Sequence, residues 1–328
     1  DNKYQNDVVY ANERPVKNLD EVIHEAKLTE AKGAGITGGD PLAKLDRTIE
    51  YIKALKKEFG KNFHIHLYTS FDLVNEETLK KLFDAGLDEI RFHPDFDSNK
   101  NWKKIEIAKK FKWSVGIEIP CIPDFREKTF KMLEFFKDKV DFINLNELEA
   151  ADTEHNQVFN KGYKVKDELS YGISGSEELG LEILQEYLHT PLNIHFCTSR
   201  LKNTEQLGNR IKIRAKNVKK HYDIATGEGT LIRGAIYTEK PSFSYLENLK
   251  LKNKEQELRK LKDLKSSLAT TLRIPKKDFD VDEMKYRLLC SRRIIYRYKD
   301  KIKALGLFPA IVEELATHDL FEIEIDFI

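Results

Sequence analysis

The sequence predicts an α/β protein: a partial (β/α)6-type parallel barrel followed by a smaller mixed C-terminal domain. Three observations carry this. Runs that fit short strands recur about every 25 to 27 residues through the first half, each followed by a helical pattern, the alternation that gives parallel strands and right-handed crossovers. Each run ends in polar residues, at the strand ends where parallel βα folds place their chemistry. After Ala150 the rhythm changes, and from Lys220 onward charged helices and an alternating last strand indicate a separate unit, so the division is drawn at 1–219 and 220–328, the second part mixed α+β with basic helices. A closed barrel needs more units than the chain offers; a doubly wound open sheet satisfies the same alternation.

The elements follow in order. Residues 1–19 are polar and irregular around Val8-Val9-Tyr10. Val22, Ile23, Ala26, Leu28 and Ala31 give an apolar face to a helix over 19–32. Gly33 to Ile36 is the opening strand, and Gly38-Gly39-Asp40-Pro41 turns it into a helix reaching Phe59, with Leu45, Ile49, Ile52 and Leu55 at helical spacing. Strands over 63–68, 88–92, 114–119 and 141–145 alternate with helices over 76–85, 102–111 and 126–137; Gly86 stands where a helix C-terminus favours glycine. Residues 152–175 are polar, a helix covers 176–188, and 192–197 is one more strand. The remainder reads as a hairpin within 225–237, helices over 245–267 and 280–305, and a strand over 321–328.

Composition narrows the function. The chain has 56 Lys and Arg against 55 Asp and Glu, so no global field favours nucleic acid, and any basic site is local. The three cysteines, Cys121, Cys197 and Cys290, are odd in number and far apart, which fits a reducing cytoplasm rather than a disulfide scaffold. No apolar run approaches the ~20 residues that span a bilayer.

Three constellations carry candidate chemistry. Gly38-Gly39-Asp40-Pro41 is either a well-capped helix start or a backbone cradle for an anionic or zwitterionic ligand. His64 and His66 share a strand face and, with His93, His195 and Glu118, sketch the metal site of a barrel hydrolase or isomerase; the other reading is a polar layer. Lys285 to Lys303 holds eight Lys or Arg against Asp300, with Tyr286, Tyr296 and Tyr298 interleaved: an RNA contact, or a solvated helix face over packed tyrosines. Arg200 to Lys220 is similarly basic.

Val8 to Pro15, the Gly35 to Pro41 turn, His64 to Ser70 and Cys197-Thr198-Ser199-Arg200 together resemble an archaeal group of radical S-adenosylmethionine proteins related to pyruvate formate-lyase activating enzymes. The resemblance implies reductive cleavage of S-adenosylmethionine to a 5′-deoxyadenosyl radical, hydrogen abstraction from a small-molecule, protein or RNA substrate, and an electron donor as partner. It implies that Gly38, Gly39 and Asp40 bind the amino group of the methionine moiety. It also implies that Thr69, Ser70, His93, Glu118 and Asn146 contact ribose, carboxylate or adenine, under loops from Thr153 to Tyr171 or the appended domain. The family's acid is usually Glu; Asp40 is one methylene shorter and can also cap its helix. The family's three-cysteine motif, which holds a [4Fe–4S] cluster, is absent. Its ligands and a first strand are therefore expected upstream of Asp1, with a cluster-less relative as the other reading. The chain alone is expected to be inactive.

Overall fold

The computed structural model describes residues 7–151, 157–168, 170–242 and 244–328; part of the expected covering loop from Thr153 to Tyr171 lies outside them. The chain forms two compact units. The first holds residues 31–206 and most of those before them; the second holds 207–328 with Asn12–Arg14 and Leu28–Glu30.

The stretch read as irregular contains two short strands, β1 (Val9–Ala11) and β2 (Arg14–Val16), which pair with each other. Helix α1 (Leu19–Leu28) stops four residues short of Lys32, with Glu30 in a left-handed conformation at φ 50°. Six parallel strands then pair in strict chain order: β3 (Gly33–Ile36), β4 (His64–Thr69), β5 (Glu89–Phe92), β6 (Ser114–Cys121), β7 (Phe142–Glu147) and β8 (Asn193–Cys197). Between them run α2 (Leu45–Phe59), α3 (Glu76–Ala85), α4 (Ile105–Ala108), α5 (Arg126–Phe136), the single turn α6 (Gln157–Asn160) and α7 (Ser176–Glu186).

Local chemistry sets these boundaries. Asn75 and Thr78 form a reciprocal capping box at the start of α3, and Gly86, at φ 101°, closes it by donating to Leu82 and Phe83 carbonyls. One face of the sheet is apolar: Ile65, Leu67, Ile90, Phe92, Ile117, Ile143 and Leu145 are fully buried in one core with Ile52, Leu79, Leu133 and Phe136 of the helices. Each such side chain contributes roughly 1.5–3 kcal/mol, so this face fixes the strand registers. The other face is left for polar residues.

The second unit holds α8 (Gly208–Val218), α9 (Tyr245–Leu251), α10 (Lys254–Leu272), α11 (Arg292–Ala304) and an antiparallel sheet. Its strands are β9 (Ile224–Ala225), β10 (Thr230–Tyr237), β11 (Phe279–Asp282), β12 (Arg287–Cys290), β13 (Phe308–Leu315) and β14 (Glu322–Phe327). They are ordered β11-β12-β10-β13-β14, with β9 also on β10. The hairpin within 225–237 forms. The single helix expected over 280–305 does not: its first third is the β11–β12 hairpin, and only Arg292 onward is helical, capped by Ser291. The helix over 245–267 is two, broken at Lys252 and restarted by the Asn253 cap. Strand β13 was not expected at all.

This corrects the basic stretch from Lys285 to Lys303. Arg287 is fully buried and Lys285 nearly so, both paired to Glu314, and neither faces solvent. Of the exposed remainder, Arg292, Arg293 and Arg297 on α11 line a hollow of about 530 Å³ with Tyr222 and Tyr296. No helix among the described residues is long and apolar enough to cross a membrane.

Candidate functional site

Strand side chains alternate between faces, so His64, His66 and Tyr68 stand opposite Ile65 and Leu67. The registers line up polar neighbours behind them. Gly35, His66 and Glu89 lie across from one another in adjacent strands, as do Tyr68, Arg91 and Gly116, and Glu118, Asn144 and His195. The sheet thus carries a polar face running toward its C-terminal edge.

At that edge, Asp40 joins the first turn to the end of β4. Its Oδ1 accepts from the Leu42 N–H (3.0 Å) and from Thr69 Oγ1 (2.7 Å); Oδ2 accepts from the Ser70 N–H (3.1 Å) and Ser70 Oγ (2.8 Å). The sequence reading of Asp40 as a helix cap holds, and Pro41 follows at the first position. Four protein donors fill its carboxylate, so Asp40, Thr69 and Ser70 hold one another. Gly38 adopts φ 129°, a conformation reserved for glycine, and a Cβ added at Gly38 or Gly39 would meet nothing within 4 Å. The turn therefore presents bare peptide groups to open space.

One step along the edge is a second cluster. Glu118 accepts from Arg91 Nη1 (2.8 Å) and Asn144 Nδ2 (3.1 Å) on Oε2, and from Asn146 Nδ2 (2.9 Å) on Oε1. Burial pushes its carboxyl up, but the Asn146 and Asn144 hydrogen bonds and the Arg91 charge outweigh this and hold it below the ordinary range. Arg91 also bonds Glu89 Oε1 (2.5 Å) and Tyr68 Oη (2.9 Å), and burial pushes the Tyr68 hydroxyl up to about 12. The exposed His93 places Nδ1 3.0 Å from the Glu118 carbonyl, and its N–H donates to the Thr69 carbonyl, linking the two clusters through backbone.

All eight residues singled out in the sequence thus lie at the same edge, in two groups. Arg91, Tyr68, Glu89 and the partnership of Asn144 with Glu118 were missed. The signal was present: a polar residue at every second position of β4 and β5, on the face a purely structural sheet would leave apolar. Burial and the nearby Arg91 and His64 charges push His66 down to about 4, so it is a neutral imidazole. His93 and His195 do not join His64 and His66; Glu89 does, with ligand atoms of all three within 4.8 Å of one another.

Some polar strand ends are structural. Glu147, whose side chain is sealed from solvent, is paired with Lys166 (2.6 Å) and accepts the Ser199 N–H (2.7 Å). Cys121, Cys197 and Cys290 are free, buried thiols in β6, β8 and β12. Burial raises all three, Cys121 to about 12.

Comparison with known proteins gives the family. The profile of the Radical SAM superfamily matches residues 2–119. A Methanocaldococcus jannaschii protein named "Putative glycyl-radical enzyme activating enzyme" is 43% identical over 239 residues, 70% of this chain and 63% of its own length. The chain therefore spans less than two thirds of that curated relative. Among solved structures, a radical S-adenosylmethionine methyltransferase of Kitasatospora setae aligns over 39% of this chain and 30% of its own, at 11% identity and a TM-score of 0.29. A member of the enolase superfamily from Polaromonas sp. JS666 aligns over 66% and 55%, at 12% and 0.36. The chain belongs to the radical S-adenosylmethionine superfamily, as a relative of its activating enzymes.

Proposed function

We propose that the first unit is the S-adenosylmethionine-binding part of an activating enzyme that acts on a protein substrate. The observation that carries the proposal is the strand-end arrangement: an open Gly38-Gly39 turn after β3 and, on β6 of the same sheet, the half-buried, ionised Glu118 with its Asn144 and Asn146 partners. The cofactor is a zwitterion with a cationic sulfonium and a polar nucleoside, and this edge offers complementary groups. The peptide groups of Gly38 and Gly39 take the methionine amino group. Asp40, its oxygens already filled by Thr69, Ser70 and Leu42, positions that turn and does not itself touch the ligand. Asn144 and Asn146 donate to Glu118, which turns their amide oxygens away from the carboxylate as acceptors for ribose hydroxyls and the adenine amino group. His93 closes the site on its exposed side.

In this superfamily the bound cofactor supplies a 5′-deoxyadenosyl radical for hydrogen abstraction. The cysteines here do not fit the [4Fe–4S] cluster of such enzymes: three protonated thiols, buried in three separate strands, offer no convergent thiolates. The chain on its own therefore binds the cofactor without cleaving it. Calorimetry of the chain with S-adenosylmethionine tests the first half: one site is expected, weakened at least about tenfold by Glu118→Ala, a loss near 1.4 kcal/mol. No binding, or binding indifferent to that substitution, overturns it. Incubation with iron, sulfide and dithionite tests the second half, with no 5′-deoxyadenosine expected.

A further inference from the structure

At the opposite end of the same strands lies a group that S-adenosylmethionine binding leaves unused. His64 and Glu89 are the first residues of β4 and β5, and His66 is two residues on, on the same face. Ser70, at the cofactor edge, is four residues beyond His66, about 13 Å at ~3.3 Å per residue. We infer that His64, His66 and Glu89 form a binding site for a divalent transition metal, zinc being the best match, with one coordination position open to solvent.

Four features support this. Ligand atoms of the three residues already lie within 4.8 Å of one another, and His64 Nε2 stands 3.4 Å from Glu89 Oε2. Zinc bonds of about 2.0–2.2 Å in a tetrahedron need ligand atoms roughly 3.3–3.6 Å apart, so the His64–Glu89 edge is in place and the others, within 4.8 Å, are close to that span. His66 Nδ1 is buried with no hydrogen-bond partner among the described residues, a cost that an uncommitted imidazole in a structural layer would bear without return. The ring is admitted because Gly35 faces it: a Cβ there would meet His66 Nε2 at 2.6 Å. Finally, Arg91 Nε holds Glu89 Oε1 at 2.5 Å, leaving Oε2 turned toward His64, the outer-shell orientation that metal-binding carboxylates use.

Two imidazoles and one carboxylate suit zinc or ferrous iron and disfavour magnesium and calcium, which take oxygen ligands. The half-exposed His64 leaves the fourth position to water, as in zinc sites that keep three protein ligands.

The test uses the full chain without S-adenosylmethionine, so its outcome is independent of cofactor binding. After dialysis against micromolar zinc, one zinc per chain is expected, unaffected by excess magnesium, and cobalt in its place should give the intense visible absorption of a tetrahedral site. His64→Ala with His66→Ala should abolish both. Glu89→Gln, which keeps the shape and one acceptor for Arg91, should weaken zinc at least about tenfold while circular dichroism shows the chain still folded, so loss of metal is separable from misfolding. Cys197→Ser should retain the metal. Zinc that persists in the double histidine variant, or is lost with Cys197→Ser, overturns the inference, as does failure of the unaltered chain to hold zinc.

Discussion

Arg91 in the first unit and Arg287 in the second are built alike and do different work. Each guanidinium lies over a tyrosine ring, Tyr68 at 5.3 Å and Tyr237 at 5.4 Å, and each is gripped by carboxylates of its own sheet. Around Arg287 these are Asp282, Glu314 and Glu322, with Lys285 also on Glu314; Arg287 and Glu314 have no solvent exposure at all. Around Arg91 they are Glu89 and Glu118, on side chains 12–19% exposed, and the remaining Glu118 partners are the neutral amides of Asn144 and Asn146. The centre of the Arg287 network, with Asp282 and Glu314, is shut off from water and Glu322 forms its rim, so the central charges answer chiefly to one another. The Arg91 network ends in the Glu118 carboxylate, 18% exposed on the polar face of the sheet, where a ligand can complete it. Similar chemistry therefore gives a structural core in one unit and a candidate binding surface in the other, and burial is what separates them.

Removing one partner should expose this difference most strongly. Arg287→Met deletes the charge at similar volume, strips buried Asp282 of its cationic partner and leaves Glu314 to Lys285 and Arg233, with an expected loss of about 3–5 kcal/mol in the second unit. Arg91→Met leaves its acids reachable by water and should cost no more than about 2 kcal/mol in the first. Urea denaturation with hydrogen exchange read on β12 and on β5 checks both; equal losses would end the contrast.

The same difference governs what the sequence discloses. The first unit is punctuated locally: Asp40-Pro41, the Asn75–Thr78 capping box and Gly86 each mark a boundary within a few residues, and six strands were readable in order. In the second unit the decisive partners are remote. Lys285 and Arg287 look like a solvated helix face because their acids, Glu314 and Glu322, lie 29 and 35 residues further on for the contacts that bury them. Only the folded sheet reveals that Asp282, Lys285 and Arg287 are interior. The candidate site falls between these cases. Residues at strand ends could be picked out one by one, but that Asp40 spends its carboxylate on Thr69 and Ser70, or that Glu118 gathers Arg91, Asn144 and Asn146, depends on pairing register, which a single strand does not carry.

Gly38→Ala is next in size. At φ 129° an L side chain is strained whatever the space around it, so a cost of about 1–3 kcal/mol is expected, read from the urea midpoint. Glu118→Gln should do less to stability, about 1 kcal/mol, while weakening S-adenosylmethionine. Its acid dependence has a definite sign. The folded carboxyl titrates below its ordinary 4.5, so its contribution is fully present above that pH and is lost as pH falls through the lower folded value. Glu118→Gln should therefore lower the stability of the first unit by that amount near neutrality, with no change of slope there, and flatten the profile below about pH 4.5.

Gly39→Ala has the smallest structural effect and sharpens the contrast furthest. Gly39 stands beside Gly38 but lacks its positive φ, and a Cβ there meets no atom within 4 Å. Nothing in the folded chain requires glycine at this position, so stability should change by less than about 0.5 kcal/mol, the range of substitutions that touch no packed or strained feature. A bound ligand changes that argument. If the methionine end of S-adenosylmethionine lies against this turn, the added methyl occupies space the ligand needs, and affinity should fall several-fold while the urea midpoint stays put. Larger residues such as Gly39→Val should extend the trend in affinity before they affect folding. Unchanged affinity across that series would leave the turn as a helix start alone and move the binding surface to the Glu118 side of the edge.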